Sequence, residues 1–344
     1  MQNHNPTGIR GIEFIEFSAT PEQGLDELFV DFGFSKTMRH RHAEIDFFQQ
    51  NQIRFLLNQT DEGFAADFRH AHGPSICGMG LRVDDARQAF ETAVERGARP
   101  WEPDQGTTLD FDVPAVYGIG DSLIYFLDDA HGFYTSQFAQ HDEPTLVPDK
   151  GFLTIDHLTN NVYKGTLEEW SNFYKDIFGF TEVRHFDIRG EKTGLFSYAL
   201  RSPDGSFCIP INEGTEEKSQ IEEYLREYHG PGIQHIAFAS RDLLASLDAM
   251  TDTQIEFLDI DDLYYENVFD RVPDVTESHE RIQQLQVLVD GDEEGYLLQI
   301  FTKNVVGPIF IELIQRKNHQ SFGEGNFGAL FRSIERDQEK RGVL

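Results

Sequence analysis

The chain has 344 residues, of which 39% are hydrophobic and 12% aromatic, enough for two ordinary domains and too apolar for a disordered chain. Its 29 basic and 60 acidic residues give a formal net charge of -31, a field that repels nucleic acid and anionic membranes and obliges an anionic substrate to find a local positive centre. Cys77 and Cys208 offer neither a disulfide framework nor a Cys-rich metal site, Met1 to Gly11 lacks the features of a signal peptide, and no run of about 18 apolar residues predicts a membrane helix, so a cytoplasmic protein is expected.

The 30 Phe predict aromatic cores and an aromatic-lined pocket. In chain order, residues 11–17 (GIEFIEF) predict a buried strand. A helix is expected from Thr20-Pro21-Glu22-Gln23, which has the spacing of a capping box with Pro at the first helical position. Phe32-Gly33-Phe34 supplies its C-cap. Residues 72–85 (HGPSICGMGLRVDD) predict a turn, a strand and then a helix over Asp85–Arg96. His141–Lys150, polar and with two prolines, is the expected joint.

The pattern then repeats. Residues 153–162 (LTIDHLTNNV) predict a strand, and Thr166-Leu167-Glu168-Glu169 predicts a second capping box. Leu167, Trp170, Tyr174 and Ile177 recur at helical spacing before Phe178-Gly179-Phe180. Residues 229–242 (HGPGIQHIAFASRD) match 72–85, with a helix expected over Asp242–Met250. Four units of strand, helix and further strands fall near 11–65, 75–130, 153–215 and 232–315. A final helix, Asn326–Arg341, sets Phe327, Leu330, Phe331 and Ile334 on one face.

Aligning the halves sets His157 against Phe14, His235 against Gly78 and Glu312 against Phe126. One copy thus carries two His and one Glu where the other carries apolar residues or Gly. Two imidazoles and a carboxylate leave coordination positions open, the donor set of non-heme Fe(II) oxygenases, although spacing alone does not identify iron. A lone strand His is ordinarily a hydrogen-bonded core or surface residue. Glu312, flanked by Phe310, Ile311 and Leu313, either faces solvent by strand alternation or is buried at a cost of several kcal/mol unless paired. His40-Arg41-His42 is the rival cluster; with no third ligand nearby it reads as solvated surface.

IDHLTNNVYKG (155–165), GPGIQHIAF (230–238), LLQIFT (297–302), GPIFIELIQRK (307–317), FGEGNFGALFRSIERDQEKRGVL (322–344) and SICGMGLRV in the first half resemble the 4-hydroxyphenylpyruvate dioxygenases. The resemblance covers nearly the whole chain; the first half and residues 251–295 match less tightly, and the acidic balance is heavier than the family's. It implies an α+β vicinal oxygen chelate fold, with tandem βαβββ modules forming two open-barrel domains plus a C-terminal helix. Residues 1–148 would be a metal-free structural and oligomerisation domain. Residues 149–344 would be the catalytic domain, with the iron site and a C-terminal lid helix.

The resemblance further implies one Fe(II) per chain, held by His157, His235 and Glu312. The reaction would consume 4-hydroxyphenylpyruvate and O2 and give homogentisate and CO2 by oxidative decarboxylation, ring hydroxylation and side-chain migration, in tyrosine and phenylalanine catabolism. Carried over by position, Gln234 and Gln299 lie near the metal, Asn212 and Gln220 meet the phenol end, and Ser197 adds a polar group. Pro210, Phe301, Phe310, Phe322 and Phe327 form the pocket wall, and Asn326 holds the lid closed. Without the resemblance, Ser and Asn here suit turns, Phe stripes suit core, and Pro210 marks an edge strand. Strand alternation also sets Gln234 and His235 on opposite faces. A homo-oligomer, dimer or tetramer, is implied. The alternatives are 4-hydroxymandelate synthase (same substrate, benzylic hydroxylation), a non-enzymatic binding module on the same fold, and a glyoxalase-like Zn or Ni enzyme.

Overall fold

The duplication appears as two eight-stranded sheets in a computed structural model of the protein, which describes residues 4–102, 111–129, 132–190 and 192–342. Parts of the expected 75–130 unit, residues 103–110 and 130, lie outside the described residues, as do 343–344 of the C-terminal motif. The first sheet contains β1 (Ile9–Ser18), β2 (Ser35–His40), β3 (Ile45–Gln50), β4 (Ile53–Asn58), β5 (Ser75–Val83), β6 (Ala115–Tyr117), β7 (Leu123–Leu127) and β8 (Phe138–Thr145). The second contains β9 (Phe152–Val162), β10 (Thr181–Arg189), β11 (Gly194–Arg201), β12 (Cys208–Gly214), β13 (Gly232–Ser240), β14 (Leu288–Gly291), β15 (Tyr296–Phe301) and β16 (Phe310–Lys317).

The strand orders, β6-β7-β5-β1-β4-β3-β2-β8 and β10-β11-β12-β9-β13-β16-β15-β14, match over seven strands when one is reversed and shifted by one place, with β8 and β14 the extra edge strands. At each centre two strands run antiparallel, β1 with β5 and β9 with β13. Each central strand pairs outward in parallel, β1 with β4, β5 with β7, β9 with β12 and β13 with β16. This is the expected α+β vicinal oxygen chelate architecture.

Several local expectations change. The joint is shorter than His141–Lys150, because His141–Thr145 belongs to β8, which pairs with β2. The helix expected from Thr20 begins as a single turn, Pro21–Gln23; Gly24, in the left-handed region, separates it from the helix Leu25–Asp31. The Thr166 capping box does not form. Glu213 of β12 accepts the Gly165 and Leu167 N–H groups instead, and the Thr166 hydroxyl turns back to the Tyr163 carbonyl. Asp85 and Asp242 cap the two helices expected after them, accepting from Gln88 N and Ala245 N.

The Phe residues account for the cores. Phe32, Phe34 and Phe55 meet Phe238 at ring-centroid distances of 5.8 to 5.9 Å, so one core is continuous between the two sheets. Phe14, Phe111, Phe133 and Phe138 form a second buried cluster on the first sheet. His40 is buried against Phe138, not solvated, so burial lowers its pKa; His42 is exposed. No helix among the described residues is long and apolar enough to cross a membrane.

Candidate metal centre

Two β-bulges build the site. Between β9 and β13 the register runs Ala237 to His157 and then Phe238 to Ile155, so Asp156 is an extra residue. It also steps from Ile233–Asn160 to His235–Thr159, so Gln234 is a second one. A bulge turns neighbouring side chains toward the same side. Strict alternation therefore fails at both places, and Gln234 and His235 face the same cavity. The first sheet keeps both irregularities, at Glu13 and Cys77. Its register also corrects one equivalence. Ala237 pairs with Glu312 as Gly80 pairs with Tyr125, so the counterpart of Glu312 is Tyr125, not Phe126.

His157, His235 and Glu312 come together from β9, β13 and β16 and are buried, with one ligand atom from each lying within 4.8 Å of the others. His157 Nε2 lies 3.1 Å from Glu312 Oε2 and 3.4 Å from His235 Nε2, and His235 Nε2 lies 3.4 Å from Glu312 Oε2. Glu312 does not face solvent. The far ring nitrogens each meet an acceptor: Asp156 Oδ1 is 2.8 Å from His157 Nδ1, and Gln234 Oε1 is 3.2 Å from His235 Nδ1. Those acceptors favour a proton on each Nδ1, which leaves both Nε2 lone pairs aimed at one point.

The electrostatics agree with a cation site. Burial opposes charge on His157, but Glu312 and Asp156 outweigh it and raise its pKa to about 9. Burial likewise opposes charge on Glu312, yet the two imidazoles hold it down at about 2. Burial lowers the pKa of His235. The two carboxylates thus favour positive charge at the point where the three ligand atoms converge. Two nitrogen donors, one oxygen donor and no thiolate fit Fe(II) with open positions.

The three groups open onto a cavity between the second sheet and the C-terminal helix Phe327–Arg341, of about 620 Å³ including space open to solvent. Ser197, Pro210, Asn212, Gln220, Gln234 and Gln299 line it, as do Phe301, Phe310, Phe322 and Phe327. Pro210 lies in β12, an interior strand, contrary to the edge reading; β12 pairs with β9 at Cys208 and Ile211, on either side of it. Phe310 stacks on His235 at 4.7 Å, and Phe322 meets His157 edge-on at 5.5 Å. Gln234 Nε2 and Gln220 Oε1 are 3.5 Å apart, and Asn212 Nδ2 lies 3.4 Å from Asn161 Oδ1.

Asn326 does not line the cavity; it fastens the start of the helix. Its Nδ2 donates to Gln299 Oε1 at 3.1 Å, and its Oδ1 accepts from Tyr264 Oη at 2.6 Å and Arg271 Nη2 at 3.3 Å. Tyr264 and Arg271 come from the weakly matching 251–295 region and carried no sequence signal of their own. Thr159, Phe186, Ile188 and Leu195 are further lining residues not singled out from sequence. Alternation from His157 along β9 would have found Thr159. Asp156 and Arg316 were also missed, although an Asp beside a ligand His and an Arg four residues past Glu312 on the same strand were visible in IDH and IELIQR.

Residues 3–139 match a family profile described as hydroxyphenylpyruvate dioxygenase, N-terminal. Residues 154–299 match the Glyoxalase/Bleomycin resistance protein/Dioxygenase superfamily. The chain is 60% identical to Protein MelA of Shewanella colwelliana, over 99% of each chain. It is 42% identical to 4-hydroxyphenylpyruvate dioxygenase of Legionella pneumophila, over 100% of this chain and 99% of that one. Among solved structures, a mutant 4-hydroxymandelate synthase from Streptomyces coelicolor superposes with a TM-score of 0.80 at 25% identity, over 96% of this chain and 99% of that one.

Proposed function

The chain belongs to the 4-hydroxyphenylpyruvate dioxygenase family, and on that premise we propose that it converts 4-hydroxyphenylpyruvate and O2 to homogentisate and CO2. The enzyme is a non-heme iron dioxygenase, and His157, His235 and Glu312 would hold its Fe(II). The observation that carries the reading is the pair of Nε2 lone pairs and the buried carboxylate converging at one end of an aromatic cavity.

Fe(II) held there would supply a positive centre for the 2-oxo acid and redox chemistry toward O2. The 2-oxo acid itself gives up two electrons as its carboxylate leaves as CO2. One oxygen atom completes the new side-chain carboxylate and the other becomes the ring hydroxyl, so no nicotinamide or flavin is needed. Gln234 and Gln299 flank the 2-oxo acid end. Asn212, Gln220 and Ser197 receive the phenol, and Phe301, Phe310, Phe322 and Phe327 hold the ring and exclude water. The metal answers the charge problem set by a net charge of -31, because it draws an anion into an acidic protein.

Residues 1–148 serve as the metal-free partner domain. Its counterpart site is filled by Phe14, Gly78 and Tyr125, with Glu16 bonded to Tyr125 Oη at 3.0 Å and Asn58 Nδ2 at 2.9 Å. The reading implies a cytoplasmic homo-oligomer working in tyrosine catabolism. A second reading, 4-hydroxymandelate synthesis, is favoured by the structural likeness to that synthase. The test is anaerobic Fe(II) reconstitution followed by oxygen-electrode measurement. One iron per chain and O2 uptake matching CO2 release are expected; no substrate-dependent uptake would sink both oxygenase readings.

A further inference from the structure

Arg316 of β16 lies where the metal ligands, the bulge and the cavity cover meet. Its Nε and Nη2 donate to both oxygens of Asp156, at 2.7 and 2.8 Å, a bidentate fork. Its Nη1 donates to the carbonyls of His319, at 3.1 Å, and Ser321. The next residue, Phe322, packs on His157, and the guanidinium stands 5.9 Å from the Phe322 ring. Asp156 and Arg316 are 17% and 15% exposed, so the pair is shielded from most solvent screening.

The first sheet supplies a comparison within the molecule. Its bulged acid, Glu13, stands beside Phe14 where Asp156 stands beside His157. With no imidazole to orient, Glu13 turns to Arg54 at 2.7 Å and Arg82 at 3.8 Å. The bulge and its acid therefore belong to the module. Only the copy with the His directs that acid onto a ring nitrogen and ties it to the segment that begins the C-terminal helix.

We infer that Asp156 and Arg316 are positioning residues that couple filling of the metal centre to the seating of residues 319–327 and the helix over the cavity. The inference rests on the metal reading above. A cation on His157 Nε2 fixes that ring, the ring fixes Asp156, and the fork of Arg316 transmits the position to two backbone carbonyls just before Phe322. Nothing in the path needs a proton to move.

The experiment is hydrogen exchange by mass spectrometry on the full chain, metal-free and loaded with Co(II) as a redox-stable probe. In the wild type, Co(II) is expected to slow exchange of peptides within 321–341 by about 5- to 150-fold, the range of ordinary coupling between sites. In Arg316→Lys, which cannot form the fork, Co(II) should still bind with its visible absorption bands but leave exchange at 321–341 unchanged. In Asp156→Asn, Co(II) affinity should fall about 10- to 100-fold. A merely structural role for the pair would raise exchange equally in both states and leave the difference intact. Bound Co(II) with no wild-type difference at 321–341 overturns the relay while the metal reading stands. Failure of the wild type to bind Co(II) overturns the metal reading and the relay together. Should Arg316→Lys fail to fold, the wild-type difference and the Asp156→Asn affinity still decide.

Discussion

Replacing Gly323 with Ala separates a hinge from a close contact. In the sequence, Phe322-Gly-Glu-Gly-Asn-Phe327 reads as a flexible entrance to a lid. In the fold, Gly323 has φ +78, and a Cβ there would lie 1.9 Å from Gln299 Oε1. Gln299 is 2% exposed and engaged at both ends, accepting from Asn326 Nδ2 at 3.1 Å and reaching Glu312 Oε1 at 3.5 Å. Left-handed Ala costs about 1 kcal/mol. Displacing Gln299 strands the Asn326 amide, at about 1–3 kcal/mol. The sum is about 2–4 kcal/mol, or a fall of roughly 3–6 °C in the thermal midpoint for a chain of this size. Scanning calorimetry of Gly323→Ala measures it, and Co(II) titration should show weaker binding because Glu312 loses a neighbour. A loss of only about 1 kcal/mol, with unchanged metal affinity, would refute the close-contact account and restore the hinge.

Three other outcomes are expected. Glu312→Gln removes the anionic ligand and should cut metal affinity and turnover by at least about 100-fold, read by metal titration and oxygen uptake. His72 stacks on Tyr228 and bonds its carbonyl through Nδ1 at 2.6 Å; burial lowers its pKa despite that bond, with His229 and Asp121 nearby. A base depressed in the folded state contributes fully above its ordinary pKa of about 6.5 and loses that contribution as pH falls, because the unfolded chain takes up the proton first. The thermal midpoint of the wild type should therefore drop more than that of His72→Phe between pH 7.5 and 5.5; equal drops would remove His72 from this role. Gly120→Ala would drive a Cβ to 2.0 Å from the Pro231 carbonyl at φ +64, and a loss above about 2 kcal/mol is expected on urea unfolding.

The duplication was legible because His-Gly-Pro followed by an apolar strand occurs twice, and the ligand triad was legible because only one copy carries it. The bulges were not. Alternation is a rule for regular ladders, and nothing in IDH or IQH announces an extra residue, so Gln234 was sent to the wrong face and Asp156 was passed over. Phe126 was matched to Glu312 because apolar strands give no register; hydrogen bonding to β5 sets Tyr125 there instead. The Thr166 capping box failed because its spacing is local while Glu213 arrives from another strand. His40 and Pro210 were misjudged for the same reason, since burial beside Phe138 and an interior strand position are tertiary facts. The clamp on Asn326 depends on Tyr264 and Arg271, more than fifty residues upstream, with no pattern linking them.

The account rests most heavily on what leaves the cavity. Purified protein reconstituted with Fe(II) and given 4-hydroxyphenylpyruvate under O2 is predicted to release homogentisate and CO2 in equal amounts, identified by chromatography with mass detection. 4-Hydroxymandelate as the product would contradict the ring-hydroxylation claim while leaving the metal centre of His157, His235 and Glu312 in place.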